Sequence, residues 1–250
     1  MNRIFSKERS KRGALVLVNA QHPLQCAAAE RLQVIRRAGP RLLLQPAAAA
    51  ALRLLLERVG AGERILPVSA YRTQREQEAL YQTSLRENGP EYTQKFVALP
   101  GCSEHQTGLA LDMALLSGPV DPICPAFPNH GVCAAFRRAA ADFGFVERYP
   151  KGKEHITGIA YEPWHFRYVG RPHAWIMQER GLVLEEYLAL LHTCPAGAPL
   201  RFARGAYAAE IFCFPAGEGG EKLLPVGAQC EISGDNMGGL VATVWKEGGR

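Results

Sequence analysis

Pro100-Gly101-Cys102-Ser103-Glu104-His105-Gln106-Thr107-Gly108-Leu109-Ala110-Leu111-Asp112-Met113 is the stretch on which this chain turns, and Tyr161-Glu162-Pro163-Trp164-His165 completes it downstream. Two imidazoles and a carboxylate, from His105, Asp112 and His165, are suitable ligands for a catalytic zinc. Such an ion takes three protein ligands and keeps one position open for water. Zinc lowers the pKa of that water from about 15.7 towards about 7. A carboxylate that is not a ligand can take the proton and later pass it to a leaving amine. Glu162, three residues before His165, is the candidate for that base.

Spacing places these residues on elements. His105 and Asp112 are seven apart, and an odd separation on a straight strand points side chains to opposite faces. Gly108 lies between them and supplies a bend, so His105 is expected at the end of a loop and Asp112 on a strand over 109–115. Glu162 and His165 bracket Pro163, which cannot donate to a ladder. They are expected in a turn leading into a strand over 164–169. From the residues alone a metal site is one reading among several, because the chain has seven histidines and most histidines hold no metal. The His-Glu-x-x-His of helical zinc proteases is absent, as is the paired Cys-x-x-Cys of zinc ribbons.

Ser103-x-His105-x-x-Gly108-x-Ala110-x-Asp112 followed by Glu162-x-x-His165 resembles the signature of the VanY family, zinc D-alanyl-D-alanine carboxypeptidases related to the VanX dipeptidases. The likeness runs from about Leu15 to Thr193. It takes in Val18-Asn19 with His22-Pro23-Leu24, Ser69-Ala70-Tyr71-Arg72-Thr73 with Gln77, and Arg148-Tyr149-Pro150 through Thr157-Gly158. It implies His105, Asp112 and His165 as zinc ligands and Glu162 as catalytic base and proton shuttle. It also implies Arg72 facing the reacting carbonyl, with Ser103 and Gln77 helping to hold the substrate. Ala70 stands where the family often has Gly, away from the chemistry. The role given to Arg72 is physically sound. A guanidinium keeps its charge, and a donor set in advance where negative charge develops is worth about 3–4 kcal/mol in other enzymes.

Composition bounds the rest. The chain has 250 residues, 47% hydrophobic and 21% charged, which suits a globular catalytic domain with a small appendage. The net charge of +5 is diffuse, with one basic cluster at Lys7–Arg12 in a start expected to be mobile. No aromatic-studded basic stripe marks a nucleic-acid surface. No apolar run reaches the length of about eighteen residues that marks a membrane span. The apolar run over 13–18 is too short for a signal-peptide core. The chain as written is therefore expected in the cytoplasm, with the cell envelope as the alternative where a leader precedes it. Cys124 and Cys133 flank a Pro- and Gly-containing loop and could pair, while reduced thiols suit a cytosolic protein equally. Cys102 is a conceivable fourth ligand, but it would close the site to water, so a packed thiol is preferred.

Helices are expected over 46–59, 73–87, 132–143, 173–180 and 184–191, and strands over 65–69, 109–115, 145–148 and 164–169. Together they make an α+β fold: a small, mainly antiparallel sheet with flanking helices, carrying one zinc site, in a catalytic domain 1–194. After the linker Pro195-Ala196-Gly197-Ala198-Pro199, residues 195–250 are expected to form a small β-rich unit with strands near 207–214 and 240–245. About fifty residues make only a marginal independent core, so docking on the catalytic domain is expected.

The leading functional expectation is a zinc D,D-carboxypeptidase that removes the terminal D-Ala from peptidoglycan stem peptides or their precursors. An L,D-carboxypeptidase acting on tetrapeptide stems shares the ligand set. A D-Ala-D-Ala dipeptidase is less favoured, since VanX-type enzymes usually carry further segments that close the pocket. A zinc-containing cell-wall-binding module has no use for Glu162 and Arg72. A serine D,D-peptidase is disfavoured by the absence of any Ser-x-x-Lys.

Overall fold

The structure is a computed structural model that describes residues 5–26, 31–36, 41–217, 220–225 and 227–246. Packing divides the chain into two units, Val18–Val183, and Met1–Leu17 together with Leu184–Arg250. The sequence boundary after 194 falls elsewhere: the N-terminal segment and the last helix group with the C-terminal sheet.

In the larger unit Gln33–Arg36 (β1) and Leu42–Leu44 (β2) form a short antiparallel ribbon that the apolar pattern does not announce. Helix α1, Pro46–Arg58, starts with proline in its first turn, where the missing N–H costs nothing. It buries Ala48, Ala49, Leu52 and Leu55, a single helical stripe. Strand β3, Ile65–Ser69, leads to Thr73, whose side chain and that of Glu76 form a reciprocal capping box at the head of α2, Gln74–Phe96. That helix runs past the end expected at 87, through Asn88-Gly89-Pro90. The chain kinks there, with Gly89 at φ 80°, and resumes helical geometry to Phe96.

Ala110–Leu115 (β4), Gly131–Ala139 (α3), Phe145–Tyr149 (β5), Glu154–Thr157 (α4), Glu162–Tyr168 (β6) and His173–Arg180 (α5) complete the unit. The four-stranded sheet has the order β3-β4-β6-β5, antiparallel throughout. Leu111 and Met113 of β4 and Trp164 and Phe166 of β6 join Leu52, Leu55, Phe136 and Phe145 in the hydrophobic core. Because strand side chains alternate, Asp112, His165 and Arg167 turn to the opposite face.

Glu162 is not in a turn before the strand, as Pro163 suggested; it opens β6. The β5–β6 register shifts between Glu147 and Tyr149, and the last β4–β6 pair is Asp112 with His165. Pro163 thus falls at an irregularity beyond the β4 ladder, a position where a strand tolerates proline.

The smaller unit comprises Leu184–His192 (α6) and an antiparallel sheet of Leu200–Arg204 (β7), Tyr207–Pro215 (β8), Cys230–Gly234 (β9) and Gly239–Trp245 (β10), in the order β7-β8-β10-β9. Phe5, Phe212, Phe214, Leu240, Ala242 and Val244 form its core. The basic start is held in place rather than mobile. Arg9 Nη2 donates to the Ile232 carbonyl at 2.6 Å, and the amides of Asn236 and Gly234 bond the Ser10 and Arg12 carbonyls. All seven cysteines are free thiols, Cys124 sharing a 3.1 Å hydrogen bond with the Tyr92 hydroxyl. No helix among the described residues is long and apolar enough to cross a membrane.

Candidate metal centre

Three strands bring the site residues into one row. Ser69 pairs with Asp112, and Asp112 pairs with His165. His105 comes from a 3₁₀ turn over Glu104–Thr107 rather than from open loop, and Gly108 ends that turn at φ 70°. A Cβ at Gly108 would lie 2.8 Å from Leu32 Cδ2. Only glycine combines that left-handed geometry with the close approach, so Gly108 does supply the bend between His105 and Asp112.

The donor atoms of His105, Asp112 and His165 lie within 4.8 Å of one another, and all three residues are buried. His105 Nδ1 lies 2.7 Å from the Ala70 carbonyl, an acceptor only, so Nδ1 carries the proton. Its Nε2 lone pair then faces Asp112 Oδ2 at 3.2 Å. His165 Nδ1 is 3.0 Å from Asp112 Oδ1 and 3.7 Å from Glu162 Oε2. Cys102 is outside this donor group. Nitrogen and oxygen donors converging with one tautomer already fixed fit a zinc ion of the kind the motif implies.

The electrostatics favour positive charge here. Burial works against a charged His165, but hydrogen bonds to Asp112 and Glu104 outweigh it and raise the imidazole to about 9. Burial would raise the Asp112 carboxyl, yet His105 and His165 hold it well below the usual carboxylate range. His105 is pushed down to about 4 by burial and by Arg72. Glu162 goes the other way: burial pushes its carboxyl up to about 8, with His165 opposing and Asp112 adding to the rise.

Arg72 follows β3 and lies partly buried beside the cluster. Its Nη1 donates to Gln77 Oε1 at 2.8 Å, and its Nη2 lies 3.8 Å from Asp112 Oδ2. Its Nε is buried with no hydrogen-bond partner. Gln77, expected to touch substrate, spends both ends of its amide on the protein: its Nε2 donates to the Ala98 carbonyl at 2.8 Å. Ser103 lines the same cavity as Arg72, His105, Asp112, Glu162 and His165. Leu80, Phe96, Val97 and Ile159 add an apolar wall.

The sequence did not single out Glu104. It is fully buried, and its Oε1 accepts hydrogen bonds at 2.8 Å from both Arg148 Nε and Arg167 Nη1. Its Oε2 lies 3.5 Å from His165 Nε2. Burial alone would raise this carboxyl, but the two arginines hold it far below its usual range. Arg148 lies between Glu147 and Tyr149 in β5, and Arg167 lies between Phe166 and Tyr168 in β6. Arg167, set between two aromatic residues in a buried strand, is the one signal that points to a buried carboxylate.

A family model described as VanY, D-alanyl-D-alanine carboxypeptidase, matches residues 41–171, all of the residues just described included. The chain belongs to the VanY family. Among curated VanY relatives, the bifunctional D-Ala-D-Ala dipeptidase and carboxypeptidase VanXYC of Enterococcus gallinarum is 43% identical over 175 residues, 69% of this chain and 92% of that protein. A D-alanyl-D-alanine carboxypeptidase of Enterococcus faecium is 38% identical over 178 residues, 71% of this chain and 52% of that one. The crystal structure of the vancomycin resistance D,D-dipeptidase VanXYg, in complex with a D-Ala-D-Ala phosphinate analogue, superposes with a TM-score of 0.91 at 42% identity over 96% of both chains. A VanY variant from a VanB-type cassette, in complex with Zn(II), gives 0.57 at 31% identity over 70% of this chain and 98% of that one. The VanY relatives are peptidases, and the α+β fold is theirs.

Proposed function

We propose that this protein is a zinc-dependent D,D-peptidase that releases the terminal D-Ala from peptidoglycan stem peptides or precursors ending in D-Ala-D-Ala. The observation that carries this is the convergence of His105, Asp112 and His165 with a second carboxylate, Glu162, 3.7 Å from His165. His105 through Nε2, Asp112 through its carboxylate and His165 through Nδ1 would hold the zinc. When bound, the ion supplies a Lewis acid for the scissile carbonyl and acidifies water.

The chain's own residues do the rest. Glu162 Oε2 takes the proton of the attacking water and returns it to the departing D-Ala amine. Its burial excludes bulk water and keeps its proton affinity high, which suits both halves of that task. Arg72 offers its unpartnered Nε–H to the carbonyl oxygen as negative charge grows there. Gln77 acts behind it, holding Nη1 and so the angle of the guanidinium fork. Ser103 lines the cavity, and the Leu80, Phe96, Val97 and Ile159 wall suits the methyl groups of alanine.

A second reading, hydrolysis of the free dipeptide D-Ala-D-Ala, is supported by the likeness to VanXYg over 96% of both chains, the smaller unit included. The zinc-loaded protein is incubated with D-Ala-D-Ala, a pentapeptide stem and a tetrapeptide stem, and the products are read by mass spectrometry. We expect loss of D-Ala from the pentapeptide, with the dipeptide arm deciding bifunctionality. Cleavage of the tetrapeptide alone would make it an L,D-carboxypeptidase. Zinc binding with no cleavage would make it a wall-binding module. Glu162→Ala is expected to keep the metal and to lose hydrolysis by about 10²–10⁴-fold.

A further inference from the structure

Outside the catalytic row, one other set of metal-ligating atoms converges among the described residues. His192, Cys213 and Asp235 bring their donor atoms within 4.8 Å of one another. They come from three parts of the smaller unit: the last residue of α6, the C-terminal part of β8, and the loop between β9 and β10. We infer that this cluster is a second, structural metal site for zinc or a similar late first-row cation, and it does not depend on the catalytic reading.

The carboxylate is the first reason. Asp235 is fully buried. Its Oδ1 is satisfied by the backbone N–H groups of Met237 at 2.7 Å and Gly239 at 2.9 Å. Its Oδ2 is left facing His192 Nε2 at 2.8 Å. Among the described residues no lysine or arginine pairs with it, and His192 is its one ion-pair partner. A buried carboxylate is costly unless paired or bound to metal.

The second reason is the shape of the cradle. A Cβ at Gly239 would lie 2.2 Å from Asp235 Oδ2 and 3.2 Å from Cys213 Sγ. Glycine there admits the carboxylate and the thiol to the same small space. Cys213 is anchored to the ladder opposite Val241, and its N–H bonds the Cys194 carbonyl at 2.9 Å. The sulfur position is therefore set by two strands and the segment after α6.

The third reason is the donor set. Nitrogen and sulfur donors at about 2.0–2.3 Å from a tetrahedral zinc stand about 3.3–3.8 Å apart. The 2.8 Å between His192 and Asp235 needs only a small opening to reach that. A thiolate with an imidazole selects zinc-like cations over magnesium or calcium. The His192 side chain is 40% exposed, which leaves a route to solvent and a fourth position for water. A metal here would tie α6, β8 and the β9–β10 loop together. That suits a small unit with a limited core, for which staples of this kind are common.

Sulfur distinguishes this site from the catalytic one, whose donors are nitrogen and oxygen. The full-length protein is stripped with chelator and titrated with Co²⁺, reading metal stoichiometry by mass spectrometry and the near-ultraviolet thiolate-to-cobalt charge-transfer absorption. We expect two equivalents and a charge-transfer band for the wild type. Cys213→Ser should lose the band and one equivalent, His192→Ala should bind the second equivalent at least tenfold more weakly, and His165→Ala should keep the band. Cys194→Ser is expected to keep it as well. One equivalent without a band, or a band that survives Cys213→Ser, overturns the assignment and leaves His192 and Asp235 as an ordinary hydrogen-bonded pair.

Discussion

Replacing Glu104 by Gln tests how the catalytic row is held. The substitution keeps the shape and one acceptor oxygen but removes the charge. In the native protein Oε1 takes two guanidinium hydrogen bonds of 2.8 Å, and both arginines are essentially unexposed. A hydrogen bond to a charged group is worth about 1.5–3 kcal/mol, and charge assistance supplies roughly half of it. Two such bonds, each halved, lose about 1.5–3 kcal/mol. Two buried guanidinium groups facing a neutral amide push the loss towards the about 3–5 kcal/mol seen when a buried pair loses one member. Because Gln still accepts, we expect about 3 kcal/mol, read as a shift in denaturant midpoint by tryptophan fluorescence. The same change removes the carboxylate beside His165 Nε2. Loss of such an outer partner typically weakens metal binding by about 10–100-fold, measured here by chelator competition. If Glu104→Gln stays within about 0.5 kcal/mol of wild type, the range of a surface change, and its metal affinity is unaltered, then Glu104 does not hold His165 and the reasoning fails.

Arg72→Lys keeps a charge but loses the fork held by Gln77; kcat/KM for D-Ala release should fall by about 10²–10³ with metal content unchanged, and an unchanged rate would remove Arg72 from the oxyanion. Burial holds His173 down to about 3. Its neutral form is favoured in the fold while the unfolded chain titrates near about 6.5, so its contribution to stability is complete above about 6.5 and is lost as pH falls from there towards about 3. That amounts to about 2 kcal/mol at about pH 5, and His173→Gln should flatten the fall in denaturant midpoint between neutral and mildly acid buffer. Gly144→Ala would place a Cβ 2.9 Å from the Gly170 backbone at φ 80°; a loss above about 1 kcal/mol is expected in thermal unfolding, more than the left-handed strain alone.

The chemistry-bearing residues were legible because each was announced by its own type. His105, Asp112, Glu162, His165 and Arg72 sit in short motifs, and Gly108 marked the bend correctly. What holds them was not legible. Nothing in the sequence singled out Glu104, and only the fold reveals that Arg148 and Arg167, distant in sequence, converge on it. Pro163 misdirected the reading of Glu162, because a proline outside the β4 ladder breaks no pairing. The strands with the plainest alternation, β3, β4 and β6, were found. β7 shows an exposed, weakly apolar pattern, and its place is set by pairing with β8 rather than by its own residues.

The Ser69, Asp112 and His165 row has a consequence for how the molecule comes into being. Asp112 and His165 are 53 residues apart in the chain, and no local segment contains two adjacent members of the row. Such distant strand pairings close slowly, after local helices form. The complete pocket therefore does not exist on the emerging or partly folded chain, which has His105 and Asp112 close in sequence but lacks the third donor until β6 pairs with β4. Ion uptake becomes a late event that reports completion of the central sheet. A one-residue slip of β6 against β4 would turn His165 towards the core side, so a chain in the wrong register would gain nothing from the ion that rewards the right one.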